Sequence, residues 1–417
     1  MIKDRTMTEA TEQEKALRLA TEAGHILLEN GAEISRVEQT MEHIASAYGV
    51  SDESFFVLSN GIITTGQQYA RAEFIPIRGT QLSRVVEVNQ LSRDVSDGRM
   101  PLDVLASRLQ AIRAGRGKPW WEVVTGIALG VASFSILFGG SLVDAAATFA
   151  CGLLLGAFMT FVGAHLSRIF GNLLGGLVGG LLCIIAYHLS PHTFHLPNMI
   201  IGTIIALVPG VPFTNGMRDL ANEDYIAGAT RLMDAFLAFL CIALGVALAF
   251  IAEGLFAGGL IQLTTPTIDT VASAWYIQLP AAFGGTVGFS ALFGAPRRYY
   301  VDCGIVGMLG WAVYLLSVTT GPVGAAFLGA LTVAAMSGVL AVVRRCPSTV
   351  FLICGIIPLV PGGGIFWTAY YLVGDQLRLA ATIGFTAIKV TIAIAGGIIL
   401  VGAIAGRIQK LRIKNRK

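Results

Sequence analysis

The hexapeptide Ile205-Ala-Leu-Val-Pro-Gly210 returns almost unchanged as Ile357-Pro-Leu-Val-Pro-Gly362. Upstream of each lies a second echo, Phe134-Ser-Ile-Leu-Phe-Gly139 and Phe289-Ser-Ala-Leu-Phe-Gly294. All four sit in long apolar runs, so the apolar part of the chain reads as one unit present twice. Proline and glycine at matching places in duplicated membrane segments point to a transporter's binding site. They free backbone groups at membrane depth, which is tolerated only inside protein or along a water-filled cavity. Pro209, Gly210, Pro361 and Gly362 are therefore candidate site residues. A plain proline kink is the competing reading.

Composition agrees with a membrane protein. Apolar residues make up 54% of the 417 and charged residues 13%, where soluble domains carry about 25% charged. Mean hydropathy is +0.69. The net charge of +3 gives no reason to expect a nucleic-acid partner. The charges are unevenly placed: residues 1–118 hold most of the acids, and residues 119–405 are a series of apolar spans. The start, MIKDRTMTEATEQEK, has no apolar core of a secretory signal. The six cysteines form no C-x-x-C or metal spacing and read as small buried hydrophobes. No cofactor or metal is expected.

A hydrocarbon core of about 30 Å takes about 20 helical residues. Ten spans are expected: 120–138, 143–163, 172–189, 199–213, 232–252, 276–294, 302–318, 323–343, 349–366 and 379–402. The fourth and ninth carry the Val-Pro-Gly interruption, so they read as broken or re-entrant. Lysine and arginine set the orientation. One set of connections carries Arg168 (with His165), Arg218 with Arg231, Arg297 with Arg298, Arg344 with Arg345, and the tail from Arg407 to Lys417. The alternate connections (139–142, 190–198, 253–275, 319–322, 367–378) hold Arg378 alone. The basic set, with Arg108, Arg113, Arg116 and Lys118, is expected in the cytoplasm, and both termini with it. Ten spans in two copies is five per copy, and an odd number turns the second copy over. The expected fold is thus a polytopic α-helical membrane protein of about ten transmembrane helices in two inverted five-helix repeats. Its expected parts are an α/β cytoplasmic domain (1–118), a first repeat (119–265), and a second repeat with a basic tail (266–417). Gly171, Gly175, Gly176, Gly179 and Gly180 give overlapping G-x-x-x-G steps for close helix packing.

In the N-terminal part, residues 11–29 and 33–48 read as helices, with Leu17, Ala20, Ile26 and Leu27 and then Ile34, Val37, Met41 and Ile44 at helical spacing. Residues 54–64 and 70–78 read as a strand pair, and 80–96 and 101–113 as helices again. His25, Glu29, Glu33, Glu38, Glu42 and His43 lack His-Glu-x-x-His spacing and read as solvated helix faces.

Certain charges invite function. Asn215, Arg218, Asp219, Glu223, Asp224, Arg231 and Asp234 follow the first Val-Pro-Gly. An amino-acid zwitterion needs a cation for its carboxylate and an acid or carbonyls for its ammonium, and Arg218 with Asp219 supplies one of each. A loop salt-bridged to the N-terminal domain is the bland alternative. Lys389 lies mid-span, where an isolated charge costs at least ~2.5–3.5 kcal/mol, and is expected in a polar interior, paired with a carboxylate or holding substrate. Asp144, Asp234 and Asp302 are proton-coupling candidates, and helix capping explains Asp144 and Asp302 as well.

Asn30-Gly-Ala-Glu-Ile-Ser-Arg-Val-Glu38, followed by strands and a helical pair, resembles the N-terminal domain of the threonine/serine exporter family. Val208-Pro-Gly-Val-Pro212, Asn215-Gly-Met-Arg-Asp-Leu220 and Ala227-Gly-Ala-Thr-Arg231 look like that family's first membrane block, with Ala227 where serine is expected. Residues 276–402 resemble its second block, which some bacteria encode separately. The resemblance covers nearly the whole chain. It implies export of threonine and serine across a bacterial inner membrane, driven by the proton motive force. Related two-component members are associated with dicarboxylates, so a succinate-like substrate is the alternative, as is a passive channel. Expected partners are the amino acid, protons and the bilayer, and a homo-oligomer is compatible. The spans hold no His-Glu-x-x-His, no Gly-x-Gly-Asp and no serine–histidine pair that would suit an intramembrane protease.

Overall fold

The computed structural model describes residues 2–414 except 52, 67–68, 77–78, 99, 191–192 and 258–274. The expected boundary between residues 265 and 266 and the last residues of the basic tail lie outside the described residues.

The N-terminal part is built from α1 (Ile2–Glu29), α2 (Ile34–Ala47), β1 (Ser54–Leu58), β2 (Gly61–Gly66), β3 (Tyr69–Phe74), α3 (Leu82–Ser96) and α4 (Leu102–Ala114). The sheet is antiparallel in the order β1-β2-β3, with Phe56 opposite Ile63 and Ile63 opposite Ala72. The expected strand pair is thus corrected to three strands. Residues 54–64 fold back on themselves through Ser59-Asn60, a two-residue hairpin loop. Val57, Ile62 and Thr64 face inward against Ile26, Leu27, Ile34, Val37, Met41, Val85 and Leu105, which form the core of this part.

Helices α5 (Trp120–Leu137), α6 (Leu142–Phe161), α7 (Arg168–Leu189), α8 (Leu196–Ile204), α9 (Gly210–Ala221) and α10 (Tyr225–Ala257) are followed by a second series in the same order. That series is α11 (Trp275–Leu292), α12 (Tyr300–Leu316), α13 (Gly321–Arg344), α14 (Thr349–Gly355), α15 (Gly362–Val373) and α16 (Leu377–Lys414). Among the described residues seven helices are long and apolar enough to cross a membrane. The number rises to nine when each bent pair, α8–α9 (59°) and α14–α15 (45°), counts as one span. The chain is a multi-pass membrane protein. Of the ten expected spans, α11 does not reach that apolarity: Trp275, Tyr276, Gln278, Pro280 and three glycines dilute it. It is instead packed inside, against α5.

The echoed motifs meet across α5 and α11. Phe134 and Phe289 stack with ring centroids 5.2 Å apart, the Phe289 ring lies on Gly130, and the Phe134 ring lies on Gly285. Both motifs end the same way. Gly139 (φ 92°) and Gly294 (φ 64°) take the left-handed turn that closes a helix. The N–H groups that follow, Gly140 and Ala295, donate back to Ser135 O and Ser290 O at 2.9 Å. The expected glycine packing is seen along α7: a Cβ on Gly176 would stand 2.6 Å from Ile242 O of α10.

Candidate functional site

Both Val-Pro-Gly breaks have one backbone geometry. Val208 (φ −59°, ψ 128°) and Val360 (φ −66°, ψ 133°) are extended, as a residue before proline tends to be. Pro209 (φ −76°, ψ 61°) and Pro361 (φ −76°, ψ 57°) form inverse γ-turns. In each, the glycine N–H donates to the valine carbonyl at 2.8 Å. The helix stops in a 3₁₀ turn and restarts at the glycine. The breaks also face each other: Gly210 packs on Ile357, and Gly362 on Ile205.

A cavity of about 190 Å³ opens beside the first break, lined by Leu207, Val208, Pro209, Gly210, Val211 and Phe293. Its polar groups are Arg168 and Asn172 from α7, Asn215 from α9, Arg231 and Asp234 from α10, and Thr80 from the N-terminal part. Arg168 Nη1 meets Asp234 Oδ2 at 3.4 Å, both side chains about half exposed. Asn215 is buried; its Nδ2 donates to Gly31 O at 2.7 Å, and its Oδ1 has no partner among the described residues. A matching cavity of about 250 Å³ lies beside the second break, lined by Phe138, Trp311, Tyr314, Val360, Pro361 and Thr386 and, among the described residues, by no charged side chain. Phe293 walls the first cavity and Phe138 the second, so each break borders the phenylalanine of the other series.

Pro209, Gly210, Asn215, Arg231 and Asp234 are therefore brought together at one cavity. Arg218 and Asp219 lie next to it and bind the N-terminal part. Arg218 Nε meets Glu33 Oε2 at 2.6 Å, and Nη1 reaches Ser348 Oγ at 3.2 Å. Asp219 is fully buried; one oxygen takes the Ile34 N–H at 3.0 Å and the other Arg231 Nη1 at 2.6 Å. Arg231 Nη2 donates to Ala32 O at 2.9 Å. Residues 31–34 of the Gly-Ala-Glu stretch thus fasten the N-terminal part to α9 and α10, beside the Asn222–Ser35 and Thr230–Ser59 hydrogen bonds, each 2.9 Å. In the same region burial pushes the Asp224 carboxyl up, against the pull of Arg231. Leu82 N and Ser83 N, at the open start of α3, donate to Phe293 O and Gly294 O at 3.0 and 2.8 Å.

The other candidates lie elsewhere. Asp144 forms a capping box with Ser141 and holds the His195 N–H (2.7 Å) and Nδ1 (2.9 Å). Asp302 takes Arg344 Nη2 at 2.8 Å. Each aspartate is third in its helix and ties down the approach to a broken pair. Pro361 lines the second cavity, and Gly362 packs on Ile205. Lys389 departs from the expected polar interior. The phase of α16 turns Thr386, Ala387 and Val390 to the second cavity and leaves Lys389 exposed among Phe385, Ile388 and Ile392. It makes no hydrogen bond or ion pair among the described residues. Sequence reasoning missed Arg168 as a cavity residue, Thr80, Asn172 and Phe293. It also missed Glu122, which gathers Arg297 (2.6 Å), Tyr300 (2.7 Å) and Lys118 (3.1 Å).

The family model ThrE, described as "Putative threonine/serine exporter", matches residues 18–252, more than half of the chain. The chain belongs to the threonine/serine exporter family. A second model of that family, "Threonine/Serine exporter, ThrE", matches residues 278–404. The chain is similar to the "Threonine/serine exporter" of Corynebacterium glutamicum, 26% identical over 97% of this chain and 85% of that one. It is similar also to the "Probable threonine/serine exporter" of Mycobacterium tuberculosis, 23% identical over 93% of this chain and 75% of the relative. The "Probable succinate transporter subunit YjjP" of Escherichia coli is 25% identical over 59% of this chain and 98% of its own length. No solved structure matches. The family is one of exporters, not of enzymes.

Proposed function

We propose that this chain is a secondary exporter of threonine and serine, coupled to protons, in a bacterial inner membrane. In this reading residues 1–118 are a cytoplasmic domain, both termini are cytoplasmic, and two inverted five-helix repeats alternate access between the two cavities. The observation that carries it is the pairing of the breaks: two γ-turns of one geometry, each beside a cavity and each packed on the other. Inverted repeats that place broken helices at their shared interface are the usual build of such carriers. The distribution of Arg168, Arg218, Arg231, Arg297, Arg298, Arg344 and Arg345 supports the orientation.

At the first cavity the substrate carboxylate meets Arg168 and its ammonium meets Asp234. The zwitterion thereby substitutes for an exposed ion pair that is worth little in water. Asn215 Oδ1 accepts the substrate hydroxyl. A volume of about 190 Å³ suits a small metabolite, below the roughly 300–1,000 Å³ of drug-sized sites. A dicarboxylate is the second reading, favoured by two cations, Arg168 and Arg231, on one cavity wall. Counterflow in proteoliposomes with labelled threonine, serine and succinate tests the assignment. Exchange of threonine and serine, with succinate inert, is expected; exchange of succinate alone overturns the substrate assignment.

A further inference from the structure

Helices α7 and α10 lie backbone to backbone, with Gly176 against Ile242 and Gly180 against Ala249. A pair of polar side chains closes each end of the contact. Arg168–Asp234 stands at the first cavity, 3.4 Å apart, and His188–Glu253 at the far end, 3.6 Å apart. Some twenty residues of helix separate the two pairs, about 30 Å at 1.5 Å per residue. That is the thickness of a bilayer's hydrocarbon core.

The two ends differ in burial. Arg168 and Asp234 are both about half exposed, whereas the His188 side chain is 50% exposed and that of Glu253 only 4%. Glu253 Oε1 faces His188, and Glu253 Oε2 is shut from solvent without a hydrogen-bond partner among the described residues. Among the described residues α7, α9 and α15 pack on α10. From α7, His188 faces the carboxyl, with Tyr187 edge-on to the imidazole. From α15, the Tyr370 ring packs on Phe250, one turn before Glu253. α9 meets the opposite end of α10 through Asp219 and Arg231. On α6, beside α7, Asp144 is committed to Ser141 and His195.

We propose that Glu253 carries the coupling proton and that His188 is its partner at the mouth; this rests on the exporter reading above. A proton from the compartment on that side adds to Oε2, the oxygen that no donor occupies among the described residues. The neutral carboxyl no longer attracts His188, and the far end of the α7–α10 pair is released while the near end opens on substrate. The proton leaves to the opposite compartment in the alternate conformation, so one proton moves in as one amino acid moves out. An ionisable group inside a span marks a proton path or an ion pair, and here the half-open pair offers both.

Glu253→Gln keeps shape and removes the titration. In proteoliposomes it should keep threonine counterflow within about twofold of the parent, yet lose transport driven by an imposed pH gradient by about tenfold or more. Driven transport at the parental rate overturns the proposal, and so does equal loss of both activities, which marks a structural role. If that variant does not insert, His188→Ala carries the test. It should move the pH profile of driven transport and leave counterflow unchanged; an unmoved profile overturns the proposal. Counterflow in the parent separates the two readings: its absence removes the exporter reading, while its presence with a fully coupled glutamine variant removes Glu253 alone.

Discussion

Phe134 and Phe289, matching positions of the repeated Phe-Ser-x-Leu-Phe-Gly motif, stack on each other with their rings 21° apart in plane. Each ring also covers a glycine of the other helix, Gly285 and Gly130. Phe134→Ala and Phe289→Ala should therefore destabilise by similar amounts, about 3 kcal/mol, and the double variant by less than their sum. Denaturant titration in detergent measures this. Unequal single effects would show that the two helices do not share one contact.

The Arg231–Asp219 pair is buried and carries the Gly-Ala-Glu stretch. Asp219→Asn strands a buried cation, and breaking such a pair costs about 3–5 kcal/mol. Limited proteolysis should then release the N-terminal part faster. Asp219→Asn with Arg231→Met should restore much of the resistance, since neither partner is left charged. Unchanged proteolysis in the single variant would sink the fastening role.

Arg168 and Asp234 pair in the open, so each should matter to transport far more than to stability. Arg168→Ala and Asp234→Ala are expected to cost under about 1 kcal/mol in unfolding while raising the KM for threonine counterflow. A large stability loss with an unchanged KM would place the pair in scaffolding.

Arg218→Ala should weaken transport more than Arg298→Ala, because Arg218 holds Glu33 whereas Arg298 lies exposed over the Tyr299 ring. Lys389→Ala, on the exposed face of α16, should leave counterflow within about threefold of the parent, as expected for a residue in contact with neither the substrate nor its transition state. Abolished counterflow would put Lys389 in the substrate path after all.

Burial pushes the Glu38 carboxyl up, against the pull of the Val57 N–H. A carboxyl raised in the folded state favours folding below its unfolded value and loses that advantage as pH rises through the folded one. Glu38→Gln should thus stabilise the N-terminal part at about pH 8 and leave it unchanged at about pH 4. Thermal unfolding at both values checks the sign.

The breaks at Pro209 and Pro361 were legible because proline and glycine act locally, on their own dihedrals. The close approach at Gly176 was legible for the same reason: a missing side chain is a property of one position. Contacts between distant helices were not. Arg168 meets Asp234, and His188 meets Glu253, only once the phases of α7 and α10 are fixed, and periodicity gives a helix its face but not its neighbour. Lys389 shows the reverse: its depth was readable, while its direction depends on how α16 rests on the second cavity. The third strand was legible as well, because Asn60-Gly61 is a turn signal inside the apolar run, but reading residues 54–64 as one strand passes over it.

Cysteines placed at Leu142 and Arg298, on the two equivalent connections and in a background without the native six, test the antiparallel arrangement most directly. An impermeant thiol reagent should reach residue 142 only from outside the cell and residue 298 only from inside. Labelling of both from one compartment would contradict the inverted repeats and the alternating cavities built on them.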